Sequence, residues 1–172
     1  MYYPADVTPE TGMNKIKFAT HAAATLIELF KRQRDAVGLS LFDRDLHAHH
    51  KARSTVAHHR LLYAELEKAL VGVGEGGGET AAVDALHTIA EATPKRSLIV
   101  LFSDLLDRTQ DLDQVFAALA HLRHAKHEVV VFHVLDERTG QQFDFADRPT
   151  TFIDLETREE VRANPAELRD TY

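Results

Sequence analysis

Two short apolar runs constrain this chain more than any other feature. Ser97 to Ser103 reads SLIVLFS and Glu128 to Leu135 reads EVVVFHVL, each the length of one strand and bounded by charged or polar residues. A run without polar alternation predicts a strand buried on both faces, which is the habit of a parallel sheet covered by helices. Between the runs, Leu112, Val115, Phe116, Leu119 and Leu122 recur at helical spacing, giving the strand, helix, strand order of an α/β sheet.

The remaining segments extend that alternation. Met1 to Asn14 carries Pro4, Pro9 and Gly12 among polar residues and reads as an irregular leader. From Lys15 to Arg34, Phe18, Ala22, Leu26 and Leu29/Phe30 predict one apolar stripe of a helix. Ala36 to Phe42 reads as a strand, and Leu46 to Lys51 as a second, more exposed one across a turn at Asp43-Arg44-Asp45. Ser54 stands where an N-cap belongs, ahead of a helix lined by Leu62, Leu66 and Ala69/Leu70. Gly72 to Gly78 holds five glycines and opens into a helix over Thr80 to Ala92, with Ala82, Leu86 and Ile89 on its apolar side. A last strand is expected over Thr150 to Leu155 and a helical turn over Pro165 to Arg169. The expected fold class is therefore α/β: a three-layer, doubly wound, mostly parallel sheet in a single domain of 172 residues.

Composition narrows the function. A formal charge of −7 with dispersed lysines and arginines argues against nucleic-acid binding, which needs a net basic face. No apolar run is long enough to span a bilayer, and no charged-then-apolar leader follows Met1. The absence of cysteine removes disulfides and thiolate metal sites and fits the cytoplasm.

In a doubly wound sheet, ligands gather beyond the carboxyl ends of the strands. Those ends carry Asp43 and Asp45, then Ser103 and Asp104 with Asp107 close behind, then Asp136 with Glu137. Thr80, at the mouth of a helix after the glycine loop, is expected on the same rim as Asp104. A hydroxyl and a carboxylate suit Mg²⁺ or Mn²⁺, although a threonine at a helix start is more often an N-cap. Five histidines, His47, His49, His50, His58 and His59, have the chemistry for Zn²⁺ or Ni²⁺. Strand alternation sends His50 away from His47 and His49, and His58 and His59 diverge on a helix, so a solvated polar surface is the better expectation. His133, inside an apolar strand, is expected as a hydrogen-bonded core residue. The glycine run lacks the lysine and hydroxyl of a P-loop and follows a helix. Asp111-Leu112-Asp113 is read as helix N-capping.

Taken together, Lys15 to Ala19, Arg34 to Leu39, Gly78-Glu79-Thr80, Leu101 to Asp107 and Asp154 to Thr157 resemble the domain-of-unknown-function 58 family along the whole chain. The resemblance implies a von Willebrand factor A-like domain with a metal-ion-dependent adhesion site, in which Thr80 and Asp104 match two of the ligands. It also implies a DxSxS motif after a first central strand. Neither is found: Asp6-Val7-Thr8 comes nearest, but Pro9-Glu10 follows and no apolar strand precedes. The expectation is an N-terminally truncated domain. Losing about four buried side chains at about 2 kcal/mol each is comparable with a domain's whole stability of about 5 to 15 kcal/mol. Metal binding by this chain is then expected to be weak or absent. The resemblance further implies a non-enzymatic protein-interaction module whose partner is a MoxR-type AAA+ ATPase. The alternative is a metal-dependent hydrolase using Asp104 with Asp107 or Asp136, for which no serine-histidine or cysteine-histidine arrangement presents itself. A third reading is a remnant that binds partners through its helices alone.

Overall fold

A computed structural model describes residues 12–42, 46–71, 82–104, 112–136, 148–153 and 160–165. Helix α1 (Lys15–Gln33) leads into strands β1 (Val37–Phe42) and β2 (Leu46–Arg53), followed by α2 (Val56–Val71) and α3 (Ala82–Ala92). Then come β3 (Leu98–Ser103), α4 (Leu112–His124), β4 (Glu128–His133), β5 (Thr150–Ile153) and β6 (Glu160–Ala163). The α/β class holds. Among the described residues, however, the strands form three separate two-stranded ladders, and only β3–β4 is parallel; β1–β2 and β5–β6 are antiparallel.

Local chemistry explains the element ends. The Asn14 side chain accepts a hydrogen bond from the Lys17 amide at 2.9 Å and so caps α1. Arg34 closes the same helix in the left-handed region, with φ 65°. At the start of α2 it is Thr55, one residue past the expected Ser54, whose hydroxyl accepts from the His58 amide at 3.3 Å. In β1, a Cβ on Gly38 would lie 2.7 Å from the His50 carbonyl oxygen, and the register shifts between Val37 and Leu39. Only glycine admits that close approach of β2 to an irregular ladder.

Two apolar clusters organise the packing. Ile27, Leu62 and Leu66 form the first, joined by Ala23, Ala24, Val37, Leu39, Leu41 and Tyr63. The buried face of α1 is therefore Ala19, Thr20 and Ile27, about one residue round from the expected stripe, and Phe18 and Leu29 are exposed. Small residues at that seam let α1 approach α2 closely, and the leucines of α2 fill the space between. The second cluster is Leu86, Ile89, Ala90, Leu101, Ala118 and Leu122, with Ile99 and Val129 against it. Phe42 of β1 also packs there, so the first ladder reaches the second core.

The expectation that β3 and β4 are buried on both faces fails. Helices α3 and α4 cover the face that carries Ile99, Leu101 and Val129. Leu98, Val130 and Phe132 remain exposed, Phe132 to 43%, and the Phe102 and Phe132 rings stack with centroids 4.9 Å apart. A run of apolar residues specifies that both faces tolerate burial; it does not supply the second cover. Strand β6 was not expected; Glu160 to Ala163 is only four residues, two of them charged. It pairs Val161 with Phe152 of β5, which ends at Ile153.

Candidate functional site

The carboxyl ends of β3 and β4 lie side by side because their register is in step, Ser103 opposite His133. One further rung continues the ladder, the Val134 amide donating to the Ser103 carbonyl at 2.9 Å. Just past it, His133 Nε2 donates to the Asp104 carbonyl at 2.6 Å. A carbonyl only accepts, so this bond fixes the Nε2–H tautomer and pins the backbone that carries Asp104. His133 is thus hydrogen-bonded as expected, but at an exposed position rather than in a core.

The Asp104 carboxylate is met by Lys15, whose Nζ lies 2.9 Å from Oδ2, with the two side chains 13% and 28% exposed. Lys15 is the first residue of α1, and that helix has no acid in its first turn. A cation at the positive end of a helix dipole is unfavourable by itself, and the carboxylate arriving from β3 offsets it. Burial pushes the Asp104 pKa up, but the Lys15 hydrogen bond, the chain's amino-terminal charge, the Lys15 charge and the residue's own backbone amide together outweigh it and hold the carboxyl below its usual value. The result is a charge-assisted, partly shielded ion pair on the strand rim, with the half-buried Asp136 following β4.

Of the two expected ligands, Asp104 is on the rim and Thr80 lies outside the described residues, as do Asp43, Asp45, Asp107, Glu137 and the glycine run. Asp154, Glu156 and most of the terminal turn also fall outside. Among the described residues, no group of three or more histidine, aspartate or glutamate side chains is placed to hold a metal ion. The described rim offers the carboxylates of Asp104, already engaged by an ammonium, and Asp136, with the Ser103 hydroxyl, fewer donors than Mg²⁺ or Mn²⁺ takes from a protein cage.

The five-histidine segment is not simply a solvated surface. His49 Nδ1 lies 3.0 Å from the Ser40 hydroxyl, and His58 Nε2 donates to the Val37 carbonyl at 2.9 Å. His59 is only 3% exposed, on the same face of α2 as Leu62 and Leu66, and among the described residues neither of its ring nitrogens has a partner. The reason is helical phase: His59, Leu62 and Leu66 are spaced by three and four residues, so a polar ring shares the apolar stripe.

Sequence reasoning missed Lys15. The available signal was a lysine opening a helix that lacks any acid in its first turn. It also missed His87 and His121, which stand on separate helices with Nδ1 atoms 2.8 Å apart. No local pattern announces a pair 34 residues apart.

A family model described as "Protein of unknown function DUF58" matches residues 5–172. No curated protein and no solved structure matches the chain. No helix among the described residues is long and apolar enough to cross a membrane.

Proposed function

The chain belongs to the DUF58 family, and from that premise we propose that it is a non-enzymatic protein-interaction module. Its contact surface is the rim at the carboxyl ends of β3 and β4. The observation that carries the reading is the Lys15–Asp104 pair, which fixes an ammonium against a carboxylate at that rim. In this reading the ion pair stands where a von Willebrand factor A-like site holds its divalent cation, and it offers a partner fixed opposite charges rather than a net positive centre. Mg²⁺ or Mn²⁺ has no step here; either would compete with Lys15 for the Asp104 carboxylate, and weak binding is the expected outcome. Thr80 belongs to the proposed site through the family resemblance alone.

The same proposal includes a single von Willebrand factor A-like domain in which the β1–β2 and β3–β4 ladders flank the place of one further central strand. Its support is that each ladder keeps an unbonded edge among the described residues, while Phe42 of β1 packs on the core beneath β3. The proposed partner is a MoxR-type AAA+ ATPase, and the proposed location is the cytoplasm. The hydrolase alternative would have to draw its base from the described rim, where Ser103 and His133 stand opposite each other. Its histidine, His133, has Nε2 committed to a backbone carbonyl.

The test is co-purification of the chain with a MoxR-type ATPase from the same genome, comparing the native protein with Lys15→Ala, Lys15→Arg and Asp104→Ala. Binding retained by Lys15→Arg but lost in Lys15→Ala, with unchanged circular dichroism, supports the rim. Equal binding by the native chain and a folded Lys15→Ala removes the rim from the interaction. Calorimetry with Mg²⁺ and Mn²⁺ is expected to give weak heats; tight binding would overturn the ammonium reading.

A further inference from the structure

Helices α3 and α4 meet along Leu86, Ile89, Ala90, Ala118 and Leu122. On the flank of that seam, half-buried, His87 and His121 bring their Nδ1 atoms to 2.8 Å, with ring centroids 5.1 Å apart and planes tilted by 42°. Two imidazole nitrogens at that distance share a single proton: one ring donates its Nδ1–H and the other offers a neutral Nδ1 lone pair. The pair is thus held in opposite tautomers by one hydrogen bond.

We propose that His87 and His121 form a two-imidazole site for a divalent transition-metal ion of the Cu²⁺ or Ni²⁺ type, which bridges α3 and α4. The spacing selects the ion. With metal–nitrogen bonds of about 2.0 to 2.1 Å, nitrogens 2.8 Å apart subtend an angle of about 90° at the metal. That is the angle between neighbouring ligands in a square-planar or tetragonal site, the geometry of Cu²⁺ and Ni²⁺. A tetrahedral Zn²⁺ site requires nitrogens about 3.3 Å apart. Loading requires each Nδ1 lone pair to swing by roughly 45° from the line joining the nitrogens toward a common point, which the broad χ2 range of histidine allows. The shared Nδ1 proton leaves to solvent and its ring takes a proton at Nε2, so the neutral pair binds the ion with no net change in protonation. No third side-chain ligand stands there among the described residues, and water completes the coordination. The site uses neither Asp104 nor Lys15 and stands apart from the rim.

The experiment is titration of the purified chain with Cu²⁺, Ni²⁺, Zn²⁺ and Mg²⁺ in a buffer containing glycine to suppress single-histidine binding. It is read by thermal unfolding and, for Cu²⁺, by pulsed electron paramagnetic resonance. Expected are one tightly held Cu²⁺ per chain, a transition temperature that rises with metal concentration, and spectral modulation from two imidazoles. Losing one arm of the chelate in His87→Gln or His121→Gln should weaken Cu²⁺ by about a hundredfold. His124→Gln, on the exposed side of α4, should leave it unchanged. Undiminished Cu²⁺ affinity in either single variant overturns the site, as does a preference for Zn²⁺. If the variants do not fold, the native chain alone decides, because modulation from only one imidazole also overturns it.

Discussion

The two halves of the molecule solve the same packing problem differently. In α1, β1, β2 and α2, an antiparallel hairpin lies against a helix pair whose seam is lined with alanine, and one buried histidine is left without partners. In α3, β3, α4 and β4, the interhelical core is apolar, but among the described residues the parallel ladder leaves Leu98, Val130 and Phe132 exposed. Both halves bury a histidine with a ring nitrogen unpartnered among the described residues, His59 in the first and His127 in the second, and the second also carries apolar residues outside. A short hairpin closes locally, whereas a parallel pair depends on elements distant in sequence to cover its two faces.

Core truncations give the largest way to break the comparison. Leu62→Ala and Leu122→Ala, at two fully buried positions, should each cost about 2 to 5 kcal/mol. Because Phe42 and the Lys15–Asp104 pair tie the halves together, both variants should shift one common urea transition. Two separable transitions would show that the halves are independent.

Next comes the polar flaw. His59→Leu removes two unpartnered ring nitrogens from an apolar stripe and should stabilise by about 1 to 3 kcal/mol, raising the denaturation midpoint. A fall in stability would show that the ring has a partner in solution.

Asp104→Asn follows, at about 1 to 2 kcal/mol of destabilisation at neutral pH. The folded pKa of Asp104 is lowered, so its contribution is full above the unfolded value of about 3.9 and fades as pH falls through the lower folded value. The gap between native and Asp104→Asn stability should therefore close at acid pH. A gap that persists there would sink the ion-pair account.

The smallest effect belongs to the bare face. Val130→Thr, at an exposed position, should change stability by about 0.5 kcal/mol or less while reducing binding of a hydrophobic dye. A larger loss would mean that something covers this face in solution.

Much of the fold was legible because periodicity is local. The β3 and β4 runs form strands as their length predicts, and the leucines of α2 and the apolar side of α3 face the cores as their spacing predicts. What escaped depends on partners distant in sequence. The α1 stripe was misplaced because bulky Phe18 and Leu29 outweigh alanines on paper, although a close seam prefers the alanines. Asp104 was readable as a rim residue from its place after a buried strand. Its partner was not, since nothing local pairs a lysine with an aspartate 89 residues away.

That separation has a consequence for the time course of folding. Contacts far apart in sequence carry a large loop-closure cost and gather late, so the Lys15–Asp104 pair should be absent from the rate-limiting step. Asp104→Asn would then leave the refolding rate unchanged and speed unfolding, the behaviour of a latch that governs how long the assembled chain lasts rather than how quickly it assembles.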